Sequence, residues 1–122
     1  MGLRVLIVDD ALFMRNMLKE VMAKVGYEVV GEAADGVEAV EQYRRLRPDL
    51  VTMDIVMPKK NGIEALQEIC REDPAARIVM CSAMGQESLI LEAVQAGARD
   101  FIVKPFKEDK VIEVVRRVAG QA

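Results

Sequence analysis

The feature that most constrains this chain is the regular alternation of short apolar runs with stretches of helical periodicity. Five apolar runs begin near residues 4, 28, 50, 77 and 100, so they recur every 22 to 27 residues. Each run is followed by a stretch in which apolar residues repeat at positions i, i+3 and i+4. Alternation at this spacing predicts βα units that assemble around a parallel sheet.

The apolar runs differ in how polar their ends are, which separates central strands from edge strands. Residues 5–8, 50–53 and 78–81 are almost continuously apolar, as expected for strands covered on both faces. Residues 28–32 have a glutamate at each end, and residues 101–103 form only a short run, so we expect both at sheet edges. The predicted fold is therefore α/β, a doubly wound five-stranded parallel sheet with helices on both faces.

Each predicted helix carries one apolar stripe that would pack against the sheet. Gly26 and Gly97 stand where the first and fourth helices should end, and Pro48 and Pro74 follow the second and third. The stripes are Phe13, Met17, Leu18, Val21 and Val25, with Arg15 on the polar side; Val37, Val40, Tyr43 and Leu46; Ile63, Leu66 and Ile69; Leu89, Ile90, Ala93 and Ala96; and Val111, Ile112, Val115 and Val118.

Composition and charge exclude several classes of protein. We expect residues 1–122 to form one domain with no separate output domain. The net charge of −3 argues against nucleic acid as a partner, and no apolar run approaches the ~18 residues that a membrane helix needs. The chain has no histidine, which excludes His-based triads, His-based general bases and the common zinc sites. Without a signal peptide, and with two cysteines that form no CxxC motif, we expect a cytoplasmic protein.

Polar residues follow the predicted strands at their carboxyl ends. The first strand ends in Asp9 and Asp10, the third in Asp54, the fourth in Ser82 and the fifth in Lys104. Open parallel sheets bind ligands beyond these ends, at the point where the strand order reverses. If strands 1 and 3 flank that point, three carboxylates converge there beside a hydroxyl and an ammonium group.

Carboxylates that lie close together repel one another, and a hard divalent cation relieves that repulsion. Mg²⁺ prefers a few carboxylate oxygens, water and phosphate as ligands, and no histidine is present to favour a softer metal. A carboxylate in such a site can also act as a nucleophile and form an acyl phosphate. The pattern therefore predicts Mg²⁺-dependent phosphoryl chemistry.

These residues resemble, in order and spacing, the receiver domains of two-component response regulators. The resemblance extends over the whole chain, and several stretches look most like the single-domain chemotaxis members of that family. It implies a flavodoxin-like (βα)5 fold with the strand order 2-1-3-4-5. The matching motifs are Asp9-Asp10, Asp54 within residues 53–58, Asn61-Gly62, Ser82-Ala83 and Lys104-Pro105-Phe106, and the chemotaxis-like stretches are residues 11–14, 81–86 and 96–103.

The resemblance implies a role for each acidic residue. Asp54 would accept a phosphoryl group from a phosphohistidine of a chemotaxis-type histidine kinase, or from a small acyl phosphate. Asp10, Asp54 and the backbone carbonyl of Val56 would ligate Mg²⁺, with Asp9 acting through water. The protein would catalyse its own phosphorylation and dephosphorylation without being a conventional enzyme, and a phosphatase could act on it.

The resemblance also implies how the signal would leave the site. Lys104, before a cis proline bond, would pair first with the carboxylate and then with the phosphate. Ser82 would move toward the phosphate, and Phe101 would rotate into the vacated space. The surface formed by helix 4, strand 5 and helix 5 would then bind an output protein, the flagellar motor switch, and we expect a monomer. Leu91 lies off the apolar stripe of helix 4 and is a candidate anchor for that partner.

Three alternatives compete with this interpretation. A phosphatase of the haloacid-dehalogenase type needs a second Asp two residues after the nucleophile, where this chain has Val56. A flavodoxin-type carrier needs a Gly- and hydroxyl-rich loop after the first strand, where this chain has Asp9 and Asp10. A phosphorelay intermediate, which would pass its phosphoryl group to a second phosphotransferase, shares all the chemistry and stays open.

Some residues depart from the common family pattern. Ser82 replaces a more frequent Thr, and Phe101 replaces a frequent Tyr. Val56 and Met84 are apolar where many relatives carry polar groups, and we hypothesise that they deny the attacking water a hydrogen bond and slow self-hydrolysis. The positive charge of residues 59–60 either solvates a loop or helps to dock an acidic partner.

Overall fold

The computed structural model describes residues 2–120, in which five strands alternate with five helices. All strand pairs are parallel, and the sheet order is β2-β1-β3-β4-β5. The predicted fold class and strand order are thus confirmed. The elements are β1 (Arg4–Val8), α1 (Leu12–Lys24), β2 (Glu28–Ala33), α2 (Gly36–Leu46), β3 (Leu50–Asp54), α3 (Gly62–Glu72), β4 (Ile78–Ala83), α4 (Glu87–Ala96), β5 (Asp100–Lys104) and α5 (Glu108–Ala119).

Two hydrophobic cores cover the two faces of the sheet. Val5 and Ile7 of β1 pack with α1 and α5 on one face. Leu6 and Val8 of the same strand pack with α2, α3 and α4 on the other. Successive side chains of a strand point to opposite faces, so a strand buried on both sides must be apolar at every position. This is why the central strands read as continuous apolar runs in the sequence.

The edge strands are less buried than the central ones. Every residue of β3 is buried, whereas β2 and β5 each have only one buried residue. β2 and β5 are the two outer strands of the sheet, as predicted from the polar ends of the first and the shortness of the second. The carboxyl ends of β1 and β3 lie side by side, with Val8 opposite Met53, so the residues that follow them share one edge.

Helix ends fall where the sequence places its special residues. Gly26 and Gly97 adopt positive φ values of 80° and 119°, which glycine tolerates because it lacks a Cβ atom. Asp35 caps α2, and Asn61 caps α3 in a reciprocal capping box with Glu64. Within residues 2–120, none of the helices combines the length and apolar character that a bilayer crossing requires.

The predicted orientation of the first turn of α1 is wrong. Phe13 was assigned to the core but is 77% exposed, and Arg15 was assigned to the polar side but is largely buried. The Arg15 guanidinium donates hydrogen bonds to the carbonyl of Asp9 and to the carboxylate of Glu32. Because residues two apart point about 200° away from each other on a helix, Phe13 then faces solvent. Val37, in the first turn of α2, is also exposed.

Candidate metal centre

Three carboxylates meet at the carboxyl edge of the sheet, beyond β1 and β3. Asp9 and Asp10 follow the last residue of β1, and Asp54 is the last residue of β3. Each offers one oxygen such that the three atoms lie within 4.8 Å of one another. Asp9 and Asp54 are buried, while Asp10 is exposed. The predicted convergence is therefore confirmed, because the parallel pairing of β1 with β3 brings both strand ends to the same place.

Asp9 is held by two partners of different kinds. Its Oδ1 accepts a hydrogen bond of 2.9 Å from the backbone N–H of Ala11, in the turn that leads into α1. Its Oδ2 accepts a hydrogen bond of 2.9 Å from the ammonium group of Lys104. Asp10 has no hydrogen bond or ion pair within the described part of the chain. Asp10 is thus the carboxylate whose oxygens are most available to a new ligand.

Lys104 reaches the acidic group from the end of β5. Its Nζ lies 3.5 Å from Asp54 Oδ1 in addition to its bond with Asp9. The Lys104-Pro105 peptide bond is cis, as the resemblance implied. Burial disfavours the charged ammonium, but the hydrogen bond to Asp9 and the charge of Asp54 outweigh it and raise the pKa of Lys104. The side chain therefore stays cationic at the centre of the site.

The environment of Asp54 is electrostatically unfavourable for its ionised carboxylate. Its pKa is raised to about 6, because burial and the charges of Asp9 and Asp10 raise it more than the ammonium group of Lys104 lowers it. One ammonium group does not compensate three neighbouring carboxylates. A divalent cation would supply the missing charge, and carboxylate oxygens are the ligands that hard cations prefer. The donor set of the site therefore fits a metal ion of this class.

Ser82 contributes a buried hydroxyl that no residue uses. It lies in β4, one residue after Cys81, which pairs with Asp54 across the strands. Its Oγ has no hydrogen-bond partner within residues 2–120, although the residue is fully buried. An unsatisfied buried hydroxyl costs about 1–3 kcal/mol, so it normally serves a ligand or water. Thr52 of β3 has a second such hydroxyl, which the sequence analysis did not single out because a strand Thr is common.

The remaining predicted residues lie around the site or beyond it. The side chain of Val56 is exposed in the loop after β3, and Met84 is exposed after β4. Phe101, in β5, is 39% exposed and lines an apolar groove of about 550 Å³. The candidate anchor Leu91 lines the same groove, together with the apolar side chains of Met84, Ile90, Val94 and Val103.

Two groups of contacts near the site were not foreseen from the sequence. Arg15 supports the Asp9 carbonyl with a hydrogen bond of 2.7 Å. The Lys59 ammonium lies 3.6 Å from the carboxylate of Asp35, and Lys60 pairs with Glu68. Both lysines of the loop after β3 therefore have acidic partners inside the protein, which favours a structural role for their charge over the docking of an acidic partner.

Comparison with known proteins agrees with this geometry. The model of the response regulator receiver domain family matches residues 5–116. The chemotaxis protein CheY of Thermotoga maritima is 60% identical over 119 residues, covering 98% of this chain and 99% of that one. CheY of Bacillus subtilis is 58% identical over 117 residues, covering 96% and 98% of the two chains.

A solved structure shows the same fold together with the ligands expected for such a site. It is the CheX-CheY-BeF₃-Mg²⁺ complex of Borrelia burgdorferi, matched with a TM-score of 0.93 and 40% identity over 98% of this chain and 90% of that one. The family match decides against the phosphatase and the flavin carrier considered above. The chain belongs to the response regulator receiver domain family, and it is a phospho-accepting signalling protein, not a conventional enzyme.

Proposed function

We propose that Asp54 is the phosphoacceptor of a chemotaxis regulator and that Mg²⁺ is held beside it. Asp10, Asp54 and the backbone carbonyl of Val56 would ligate the ion directly, and Asp9 would act through water. The observation that carries this proposal is the group of three carboxylates within 4.8 Å, together with the pKa of Asp54, which is raised to about 6. The engagement of both Asp9 oxygens elsewhere supports its outer role.

Phosphoryl transfer to Asp54 follows from this arrangement. A carboxylate oxygen of Asp54 attacks phosphorus, the new O–P bond forms, and the P–N bond of the donor phosphohistidine breaks. The bound cation would neutralise charge on the phosphoryl oxygens during this step. Lys104, which now lies 3.5 Å from Asp54, can pair with a phosphoryl oxygen once the carboxylate has become an acyl phosphate. The free hydroxyl of Ser82 can donate to another.

A phosphohistidine donor must belong to a second protein, because this chain contains no histidine. Relatives named chemotaxis protein CheY, at 58–60% identity, favour a histidine kinase of the chemotaxis type in the cytoplasm. The complex of a homologous CheY with CheX, BeF₃ and Mg²⁺ supports a further partner that recognises the phosphorylated form, such as a phosphatase.

The output surface is the face formed by α4, β5 and α5. Ser82 lies in β4 and pairs with Val103 of β5, and both Val103 and Phe101 line the apolar groove. Movement of Ser82 toward the phosphate would leave space that the Phe101 ring can fill. The groove beside it presents Leu91, which is 59% exposed, to an output protein. The flagellar motor switch is the partner that the resemblance to chemotaxis regulators implies, and relatives named as chemotaxis proteins agree with it.

Exposure of the metal-free protein to Mg²⁺ and acetyl phosphate tests the phosphoacceptor. We expect the wild type to gain the mass of one phosphoryl group and Asp54→Ala to gain none. Asp49→Asn is a matched control, since Asp49 stands beside the other end of the same strand and asparagine keeps an acceptor for the N–H of Arg4. Phosphorylation of Asp54→Ala to the level of Asp49→Asn would show that another residue is the acceptor. Transfer from the phosphorylated wild type to a phosphotransferase histidine, instead of release on binding the motor switch, would support the phosphorelay alternative.

A further inference from the structure

One short turn contacts both loops that carry the proposed cation ligands. This β2–α2 turn (residues 33–36) accepts a hydrogen bond of 3.0 Å from the backbone N–H of Asp9 at the carbonyl of Ala33. Three residues later, the N–H of Gly36 donates a hydrogen bond of 2.8 Å to the carbonyl of Lys60. Asp9 begins the loop with two of the carboxylates, and Lys60 lies at the end of the loop that starts after Asp54. The turn is therefore bonded to both halves of the site.

Gly36 brings the turn and the loop unusually close together. A Cβ atom at Gly36 would lie 2.1 Å from the carbonyl oxygen of Lys60 and 2.7 Å from its carbonyl carbon. Gly36 does not have a positive φ, unlike Gly26, Gly85 and Gly97, so its backbone conformation alone is open to other residues. It is also the first residue of α2, where alanine would favour the helix. The glycine is thus required only by the approach of the loop.

Asp35 adds a second attachment between the turn and the loop. Its buried carboxylate accepts a hydrogen bond of 2.9 Å from the N–H of Glu38 and so caps α2. Its other oxygen lies 3.6 Å from the Lys59 ammonium. Lys59 has a φ of +66°, a conformation that costs energy for any residue with a Cβ atom. The charge of Asp35 helps to keep Lys59, and with it the loop, in this conformation.

Contacts of Gly62 hold the two ends of the same loop together. The N–H of Gly62 donates a hydrogen bond of 2.7 Å to the carbonyl of Ile55. A Cβ atom at Gly62 would lie 2.0 Å from the carbonyl oxygen of Asp54. Val56 lies between these two attachments, so its carbonyl position depends on both. The sequence alone could not show this, because Gly36 and Lys60 are distant in the chain and belong to different βα units.

We propose that Asp35 and Gly36 are positioning residues that set the spacing between the loop with Asp9 and Asp10 and the loop with the carbonyl of Val56. The proposal rests on the proposed function, because it takes that carbonyl as a Mg²⁺ ligand. Mg²⁺ demands nearly ideal octahedral geometry, so a small shift of one loop weakens binding. Residues that orient metal ligands without touching the metal commonly change affinity by about 10–100-fold when replaced.

Calorimetric titration of the metal-free, full-length protein with Mg²⁺ tests this proposal. We expect Gly36→Ala to weaken Mg²⁺ binding by about tenfold or more. Gly31→Ala is the matched control, because its added Cβ would lie 2.5 Å from Cδ1 of Leu46, a flexible side chain of α2, and would not touch the loop. We expect it to keep the wild-type affinity within about twofold, whatever its effect on stability.

Hydrogen exchange of the metal-free proteins separates this proposal from the proposed function. Gly36→Ala should accelerate exchange of the Gly62 amide, whereas Gly31→Ala should not. Mg²⁺ binding that is absent in the wild type would overturn the proposed function, and the exchange rates would still report on the turn. Wild-type affinity and exchange in Gly36→Ala, or the same loss in Gly31→Ala, would overturn the positioning role.

Asp35→Asn keeps the proposal testable if Gly36→Ala does not fold. Asparagine still accepts the hydrogen bond that caps α2 but lacks the charge that faces Lys59. We expect Mg²⁺ binding about threefold weaker than in the wild type, with unchanged helix content by circular dichroism. Unchanged affinity in Asp35→Asn would show that the Asp35 charge does not position the loop.

Discussion

The helices α3 and α4 lie side by side on the same face of the sheet but are anchored to it differently. α3 begins with the reciprocal capping box of Asn61 and Glu64. The residue before α4, Gln86, makes no side-chain cap, and within the described residues of α4 only Ala93 is fully buried. The buried residues of α3 are Gly62, Ile63, Ala65, Leu66 and Ile69.

This difference in packing agrees with the different roles proposed for the two helices. α3 continues the loop after Asp54, whose position the cation site requires. α4 borders the groove where Phe101 and Leu91 are exposed, and it follows Ser82. Elements with few buried contacts open and shift at a lower free-energy cost than well-packed ones. We therefore expect the side with α3, proposed to accept charge, to be the rigid side, and the side with α4, proposed to report it, to shift at a lower free-energy cost.

The largest expected effect concerns packing under the two helices. Leu66→Ala in α3 removes a fully buried side chain and should lower the free energy of unfolding by about 2–5 kcal/mol. Leu91→Ser in α4 should change it by less than about 0.5 kcal/mol, because Leu91 is exposed. Urea unfolding monitored by circular dichroism measures both. Equal losses would show that α4 is anchored as firmly as α3.

The second effect is electrostatic and belongs to the rigid side. Folding raises the pKa of Asp54 to about 6, so the stability contributed by its protonated form is lost as the pH rises from about 4 through 6. Asparagine does not ionise, so Asp54→Asn does not lose stability over this pH range. We expect it to stabilise the metal-free protein by about 1–3 kcal/mol at pH 8, but not at pH 4. Mg²⁺ should reduce the difference in stability between Asp54→Asn and the wild type, because it stabilises the wild type. Thermal unfolding at both pH values checks this, and an asparagine variant no more stable at pH 8 would contradict it.

The caps at the starts of the two helices provide the third comparison. Asn61→Ala deletes the acceptor for the N–H of Glu64 and should cost about 1 kcal/mol of stability. Gln86→Ala removes a half-buried side chain that accepts a hydrogen bond from the N–H of Ala83 but does not cap the helix, and should cost less than about 0.5 kcal/mol. Chemical unfolding distinguishes the two values. A larger loss of stability in Gln86→Ala than in Asn61→Ala would show that the start of α4 is held more firmly than the start of α3.

Val56→Asn tests the hypothesis that an apolar neighbour protects the phosphoryl group. An amide in this exposed position can offer the attacking water a hydrogen bond, and one such bond of about 1 kcal/mol corresponds to about fivefold faster decay of phosphorylated protein. Met84→Asn, on the α4 side, is the comparison variant, and we expect it to have a smaller effect. Loss of phosphate over time provides the measurement, and an unchanged or slower decay in Val56→Asn removes the hypothesis.

The smallest effect is expected at the output surface. Leu91→Ser should weaken binding of a peptide from the motor switch protein about threefold, since most interface residues contribute less than about 1 kcal/mol. Phosphorylation of Asp54 should be unchanged, because Leu91 lies in the groove and not at the carboxylates. Fluorescence anisotropy of a labelled peptide gives the affinity. A loss of phosphorylation in Leu91→Ser would show that α4 and the acidic site are coupled, which would contradict the separate roles of α3 and α4.

The sequence predicted the fold and the acidic cluster because both depend on local patterns. Continuous apolar runs identify strands buried on two faces, and residues after parallel strands must meet at one edge of the sheet. Together with the strand order that the family resemblance implied, that was enough to bring Asp9, Asp10 and Asp54 together. It was not enough for Phe13, whose exposure depends on the hydrogen bonds of Arg15 with groups from two other elements.

The edges of the sheet and the polar residues at the strand ends were thus predicted from the sequence itself, whereas the strand order that brings the three carboxylates and the lysine together was implied by the family resemblance. Only the tertiary structure decided which Asp9 oxygen takes which partner, that the buried Ser82 hydroxyl has no hydrogen-bond partner within residues 2–120, and that Gly36 closely approaches Lys60. The physical reason is that hydrophobic periodicity is a property of neighbouring residues. Hydrogen bonds and close approaches between distant segments exist only after the helices and strands have packed, and they vary with shifts too small for any sequence pattern to record.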